Sequence, residues 1–245
     1  MKALILAAGY GTRLTSIIKD TPKALIEIQS QPLINYILER VQPLKGLNEI
    51  LIVTNDKFFG HFQKWAAECQ KKYPFPVTFV NDGTKENEKR LGSVGDMAFV
   101  IQEKKIAEDL FVIGGDNLFD YSLEDFVNFA ATKSRAVTIG VYDVGNYESA
   151  KSFGVVALNA QNKVVDFQEK PQVPQSTLIA MCCYYFSKPA LKTIKDYLAV
   201  SDKTDRAGDY IKWLSQKIDV FGFKFSGKWY DIGNIESYHE AQKNF

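Results

Sequence analysis

The most constraining feature of the chain is its opening, MKALILAAGYGTRL. An apolar run from Ala3 to Ala7 empties into a loop of small residues holding Gly9 and Gly11, followed by Thr12 and Arg13. The run is far shorter than the roughly 20 apolar residues needed to cross a bilayer, and it leads straight into the glycines. It predicts a buried first strand. A glycine-bearing loop behind such a strand commonly wraps a phosphate, because its backbone amides can approach an anion closely. Two frequent phosphate loops are excluded. The dinucleotide fingerprint G-x-G-x-x-G needs a third glycine where Leu14 stands, and the Walker A pattern G-x-x-x-x-G-K-S/T is absent.

Further along, strand-like runs (EILIVT, FPVTFVN, DLFVIGGD) alternate with helical patterns (PLINYILERVQPL, FFGHFQKWAAECQKKY, GSVGDMAFVIQEKK). Pro32 is expected at the first helical position of its segment. Such alternation predicts an α/β fold: a Rossmann-like, open, mainly parallel (mixed) sheet with helices on both faces. The later sequence is richer in strands, namely RAVTIGVYDV, FGVVALN, KVVDFQEKP and LIAMCCYYFS. Helical patterns return in PALKTIKDYLAV and DYIKWLSQK, then DVFGFKFS and KWYDIG precede a last helix, IESYHEAQKNF. The expectation is a single domain over residues 1–245, with a core over about 1–135 and a C-terminal mixed β lid over about 136–245.

Composition narrows the partners. Lys plus Arg (30) nearly equal Asp plus Glu (29), for a net charge of +1. A general nucleic-acid binder would carry a basic excess, whereas a local cationic pocket for a small anion remains open. No segment could span a membrane, so neither nucleic acid nor membrane is expected as a partner, and a cytoplasmic location follows by default. The cysteines, Cys69, Cys182 and Cys183, are odd in number and lack zinc-site spacing with His61 or His239. They read as buried thiols.

The stretch LAAGYGTRLTSIIKDTPKAL resembles the signature of the sugar-nucleotide pyrophosphorylases (sugar-1-phosphate nucleotidyltransferases), roughly L-A-A/G-G-x-G-T/S-R-L with P-K some ten residues on. Leu6 to Leu14 and Pro22-Lys23 carry it. GGDN (Gly114 to Asn117) is similar to that family's strand-end aspartate motif. FGVV (Phe153 to Val156) and EKP (Glu169 to Pro171) are similar to its sugar-phosphate motifs, and WYDIGNIESYHEA (Trp229 to Ala241) to its second metal-aspartate segment. These spaced motifs stand in the family's order.

The resemblance implies transfer of a nucleotidyl group from a nucleoside triphosphate to a sugar 1-phosphate, with pyrophosphate leaving. The attacking phosphate oxygen is already ionised, so positioning and charge neutralisation carry such catalysis. The resemblance assigns Mg2+ to Asp116 and Asp231, and catalysis to Arg13, Lys23 and Asp116. The nucleotide would meet Leu6, Ala8, Gly9, Gly11, Thr12, Arg13, Lys23 and Asp116. In RLGSVGDM, Gly92, Ser93 and Gly95 would meet the base or ribose, the alternative being an ordinary helix N-cap by Ser93. Lys170 would hold the acceptor phosphate, Glu169 the sugar hydroxyls, and Gly154 would leave room for the sugar, the alternative for EKP being a surface turn. Met181 and Cys182 replace the small polar residue and glycine frequent in that family, giving a bulkier sugar wall. The two expected parts become a nucleotide-binding core and a sugar-phosphate-binding part that supplies the second metal ligand. No β-helix or acetyltransferase domain is expected after the last helix. The alternatives are a cytidylyltransferase acting on phosphocholine or a polyol phosphate, and a non-catalytic nucleotide-sugar sensor.

Overall fold

A computed structural model describes residues 1–14, 17, 20–69 and 76–245. Its strands are β1 (Lys2–Leu6), β2 (Glu27–Ile28), β3 (Gln31–Pro32), β4 (Glu49–Thr54), β5 (Val77–Asn81), β6 (Leu110–Gly114), β7 (Asn117–Phe119), β8 (Val137–Asp143), β9 (Gly154–Leu158), β10 (Val164–Glu169), β11 (Leu178–Phe186), β12 (Val220–Lys224) and β13 (Trp229–Asp231). Its helices are α1 (Leu33–Val41), α2 (Asp56–Cys69), α3 (Gly92–Glu103), α4 (Glu124–Ala131), α5 (Tyr147–Ala150), α6 (Lys192–Leu198), α7 (Ala207–Ser215) and α8 (Ile235–Asn244). The α/β class with a mixed sheet, expected from the sequence, is the one the chain adopts. Among the described residues no helix is long and apolar enough to cross a membrane.

The chain forms two compact units. The first comprises Met1–Gly92, Ile113–Glu124 and Gly227–Phe245; the second comprises Ser93–Val112 and Asp125–Ser226.

In the first unit β1, β4 and β5 are parallel, Lys2–Leu6 pairing with Glu49–Val53 and Ile50–Thr54 with Val77–Asn81. Ala3 to Ile5 and Ile50 to Val53 are wholly buried, which is why these strands read as unbroken apolar runs: a parallel sheet is covered on both faces. Helix α1 buries Leu33, Ile34, Ile37, Leu38 and Val41 along one stripe. Pro32 does not open this helix. It holds an extended conformation (φ −53°, ψ 134°) and pairs with Glu27 in the β2–β3 hairpin, so the helix starts one residue later. Two short strands, β7 and β13, form a separate antiparallel ladder.

In the second unit β9 pairs antiparallel with β10 and β11, and β8 antiparallel with β11 and parallel with β12. Helices α6 and α7 meet through Tyr197, Tyr210 and Trp213, and buried Tyr210 shares a 2.7 Å hydroxyl contact with Thr193. Cys183 is buried and Cys182 partly exposed. The side chain of Cys69, and residues 70–73 of the expected helix, lie outside the described residues.

Candidate active site

The glycine loop is pinned at its base on two sides. Ala7 N donates to Val53 O at 2.9 Å, and Gly115 N donates to Leu6 O at 2.8 Å. Gly11 has a φ of +63°, a left-handed conformation that glycine adopts without strain. Leu14 N then donates to Gly11 O, closing a short turn over Thr12–Leu14 that leaves Thr12 and Arg13 exposed. Leu14 itself is buried with Ile26, Ile28, Leu33, Leu118, Ile232 and Ala241. Leu14 follows Arg13, Ile26 lies just beyond Lys23, Leu118 just beyond Asp116, and Ile232 follows Asp231. One apolar cluster is therefore the common footing of four polar residues from three segments of the chain.

The β7–β13 ladder sets Asp231 opposite Asn117, and Ile232 N donates to Asp116 O at 2.9 Å. The Lys23 ammonium lies 2.7 Å from Asp116 Oδ2 and 4.0 Å from Asp231 Oδ1. Buried Asn117 donates from Nδ2 to Asp116 Oδ1 at 3.0 Å, while its Oδ1 accepts from Trp229 Nε1 at 2.8 Å. Burial pushes the Asp116 carboxyl up. The Lys23 charge and hydrogen bond, its own amide and Asn117 outweigh that push and hold it below the usual carboxylate range.

Two carboxylates and one ammonium leave this cluster one negative charge. Both aspartates keep about a third of their side-chain surface, 36% and 35%. Among the described residues no three His, Cys, Asp or Glu side chains gather to hold a metal. Two hard-oxygen carboxylates are the donor type that fits magnesium, which takes one or two protein carboxylates and completes its shell with phosphate oxygens and water.

In the second unit, the FGVV and EKP motifs are cross-strand neighbours. Gly154 pairs with Glu169 on one side and Ala180 on the other, and Lys170 N donates to Phe153 O at 3.0 Å. A Cβ on Gly154 would lie 2.5 Å from the Phe167 ring and 3.2 Å from Glu169 Oε2, and one on Gly208 would collide with the same carboxylate. The space a Cβ would take at Gly154 is thus occupied by Phe167 and Glu169. Glu169 borders a cavity of about 450 Å³ with Asp202, Lys203, Thr204, Asp205, Arg206, Asp209 and Lys212. Burial raises the Glu169 carboxyl; Lys170 and Arg206 pull it down and Asp209 pushes it up, and the balance stays above the ordinary range. Lys170 is exposed with a φ of +46°, a conformation uncommon outside glycine.

From Leu178 to Cys183 the side chains of β11 alternate between partly exposed and buried. Cys182 shares the partly exposed face with Ala180, whereas Met181 is buried, so Met181 is a core residue and not part of a sugar wall. Gly92 (φ +77°) opens α3. Ser93 does not cap that helix: its Oγ donates to Asp205 O at 2.9 Å, and Val94 N donates to Thr204 O at 2.9 Å. The start of α3 is thereby fastened to the segment that lines the Glu169 cavity. Sequence reasoning missed Asn117, Trp229, Arg206 and Asp209 as participants. Asn117 stood inside a quoted motif; Arg206 and Asp209 carried no signal, since their proximity to Glu169 exists only after folding.

A family model described as nucleotidyl transferase matches residues 2–245. The chain is 32% identical to a bifunctional GlmU protein of Methanocaldococcus jannaschii over 99% of its own length and 54% of that protein's. It is 30% identical to a glucose-1-phosphate thymidylyltransferase of Neisseria meningitidis over 98% of its length and 81% of the relative's. It thus spans only about half of the GlmU relative. In fold it is similar to a UDP-glucose pyrophosphorylase crystallised with UDP-glucose, with a TM-score of 0.78 at 20% identity over 99% and 97% of the two chains. With a family model matching almost every residue, the chain belongs to the nucleotidyl transferase family.

Proposed function

We propose that the chain is a magnesium-dependent sugar-1-phosphate nucleotidyltransferase. A phosphate oxygen of the sugar 1-phosphate attacks the α-phosphorus of a nucleoside triphosphate. The bond from that phosphorus to the bridging oxygen breaks, and the electron pair departs with pyrophosphate. The observation that carries the reading is the convergence of Asp116, Asp231 and Lys23 beside a glycine loop anchored to the ends of β1 and β4. Relatives named as thymidylyltransferase and uridylyltransferase of glucose 1-phosphate support the same chemistry.

Each residue then has a physical task. Asp116 and Asp231 would hold magnesium, which supplies neutralisation of charge on the phosphate oxygens. Arg13 and Lys23 bind the triphosphate and stabilise the charge that grows on departing pyrophosphate. The loop amides at Gly9, Gly11 and Thr12 donate to the nucleotide. Lys170 takes the acceptor phosphate as a point charge, and Glu169 accepts from acceptor hydroxyls.

The test is a matrix of five nucleoside triphosphates against a panel of sugar 1-phosphates, phosphocholine and polyol phosphates, read as pyrophosphate release with and without magnesium. Turnover with at least one sugar 1-phosphate is expected. Turnover confined to choline or polyol phosphates would replace the sugar reading with that of a non-sugar cytidylyltransferase. Nucleotide binding without turnover on any acceptor would leave a sensor.

A further inference from the structure

Asn55 directly follows β4 and is fully buried. Its side chain makes two hydrogen bonds in opposite senses. Oδ1 accepts from Phe58 N at 3.0 Å, and Nδ2 donates to Ala8 O at 2.8 Å. The first is an ordinary N-cap for α2, which serine or aspartate would supply equally well. The second is not explained by the helix. A buried position that must accept on one side and donate on the other calls for a carboxamide.

The bond to Ala8 O has a geometric consequence. A trans peptide is planar, with its C=O and the following N–H pointing in opposite directions. Fixing the Ala8 carbonyl toward Asn55 therefore aims the Gly9 N–H away from it. The Gly9 α-carbon faces open space, since a Cβ there would meet nothing within 4 Å. The next loop residue is also tethered: Tyr10 Oη donates to Thr84 Oγ1 at 3.2 Å, and Thr84 N and Oγ1 both donate to Asp82 Oδ1, at 2.7 and 2.8 Å. The loop is thus held on either side of one outward-aimed amide.

We infer that Asn55 is a positioning residue for the nucleotide: through the Ala8 carbonyl it fixes the Gly9 N–H as a preorganised donor to the bound triphosphate. The inference rests on the nucleotide-binding part of the function proposed above.

The experiment uses the full chain and two substitutions, Asn55→Asp and Asn55→Ser. Calorimetry gives the Kd for the triphosphate that the unmodified chain uses, with magnesium and without acceptor. The Gly9 amide resonance is followed in glycine-labelled protein. Serine keeps the cap but cannot reach Ala8. Ionised aspartate keeps the cap and turns an acceptor toward the Ala8 carbonyl, whereas its protonated form donates and restores both bonds. The titratable neighbours in the chain are Asp56 and Lys57 of α2, Lys57 lying 3.3 Å from Asp20, and Asp82 pairs next to that position through its N donating to Thr54 O at 2.9 Å. Burial raises such a carboxyl.

At about pH 8 both variants should bind the triphosphate on the order of tenfold more weakly and shift the Gly9 resonance. Toward about pH 6 the Asp variant alone should recover, each value normalised to the unmodified chain at the same pH. A purely structural role would lower the melting temperature of both variants and leave the triphosphate Kd of the folded protein and the Gly9 resonance unchanged. Three results overturn the inference while leaving the function intact: an unchanged Kd, a Gly9 shift without a change in Kd, or failure of both variants to fold. If the unmodified chain binds no triphosphate, the function falls, and the inference with it, on the wild-type measurement alone.

Discussion

Asp231 stands opposite Asn117 in the antiparallel β7–β13 ladder, and Asn117 in turn donates to the neighbouring carboxylate of Asp116 at 3.0 Å. The two acidic groups are thus set side by side by backbone pairing between distant segments, not by side-chain reach. Asn in place of either Asp keeps the size and removes a charged oxygen. Asp116→Asn and Asp231→Asn should each lower kcat by a factor on the order of 10² or more, since charge neutralisation acts on the transition state. Steady-state rates at saturating magnesium check this. Near-normal turnover of Asp231→Asn would remove Asp231 from the site.

Asn117 satisfies two groups at once, the Asp116 carboxylate and the Trp229 indole N–H. Asn117→Ala leaves the indole donor without its acceptor and frees one Asp116 oxygen. Trp229 is part-buried, so losing this acceptor costs at most the roughly 1–3 kcal/mol of a fully buried unsatisfied donor. The melting temperature should therefore fall, and kcat should fall with it even at temperatures where the variant is fully folded. A lower melting temperature with unaltered kcat would restrict Asn117 to a structural role.

Arg13 and Lys23 look alike in the sequence, two cations flanking a polar loop, but the structure separates them. Arg13 is exposed, whereas Lys23 has a side chain only 16% exposed and paired with Asp116. Arg13→Ala should leave the melting temperature unchanged and weaken triphosphate binding about tenfold, the loss of a charge-assisted contact. Lys23→Ala should do both kinds of damage. The folded-state carboxyl of Asp116 lies below its unfolded value, so its stabilisation is present above the ordinary carboxyl range and is lost as pH falls through the depressed folded value. The difference in melting temperature between wild type and Lys23→Ala should be largest at neutral pH and shrink in acid. A difference that does not change with pH would detach Lys23 from Asp116.

What the sequence could and could not disclose follows from the range of the interactions. β4 was legible residue for residue, because Ile50–Val53 is an unbroken apolar run buried on both faces. The β2–β3 hairpin was not. Its turn, Gln29–Ser30, has two positive φ values of +47° and +67° without the Asn-Gly signal. It leans on Gln242, which accepts from Gln29 N and donates to Glu27 O. β7 escaped notice because three residues make no periodic pattern and their partner strand lies far along the chain. The same distance hid the role of Asn117. The polar residues of the site were named from motifs, whereas the bonds that orient them, Asn117 to Trp229 and Asn55 to Ala8, join segments whose meeting no local spacing encodes.

Glu169 and Lys170 are adjacent in the chain and should fail differently. The Glu169 carboxyl is raised in the folded chain, chiefly by burial. A raised acid is the reverse of the Asp116 case: the folded state binds the proton more tightly, so stability falls as pH rises from the unfolded value through the folded one. Glu169→Gln removes that titration. The melting temperature of the variant, taken relative to wild type, should therefore rise as pH increases past the ordinary carboxyl range, and level off above the folded value. Its kinetic effect should depend on the acceptor's hydroxyl pattern, because a carboxylate accepts from hydroxyls and an amide reproduces only half of that capacity. Lys170→Ala should leave the melting temperature alone, the side chain being exposed. It should raise KM for the acceptor by about ten- to a hundredfold, the worth of a charge-assisted contact to phosphate. Triphosphate affinity without acceptor should stay nearly constant. If Lys170→Ala instead weakens triphosphate binding and spares the acceptor KM, the lysine serves the nucleotide, and Arg206, which lines the same cavity as Glu169, is the next cation to substitute.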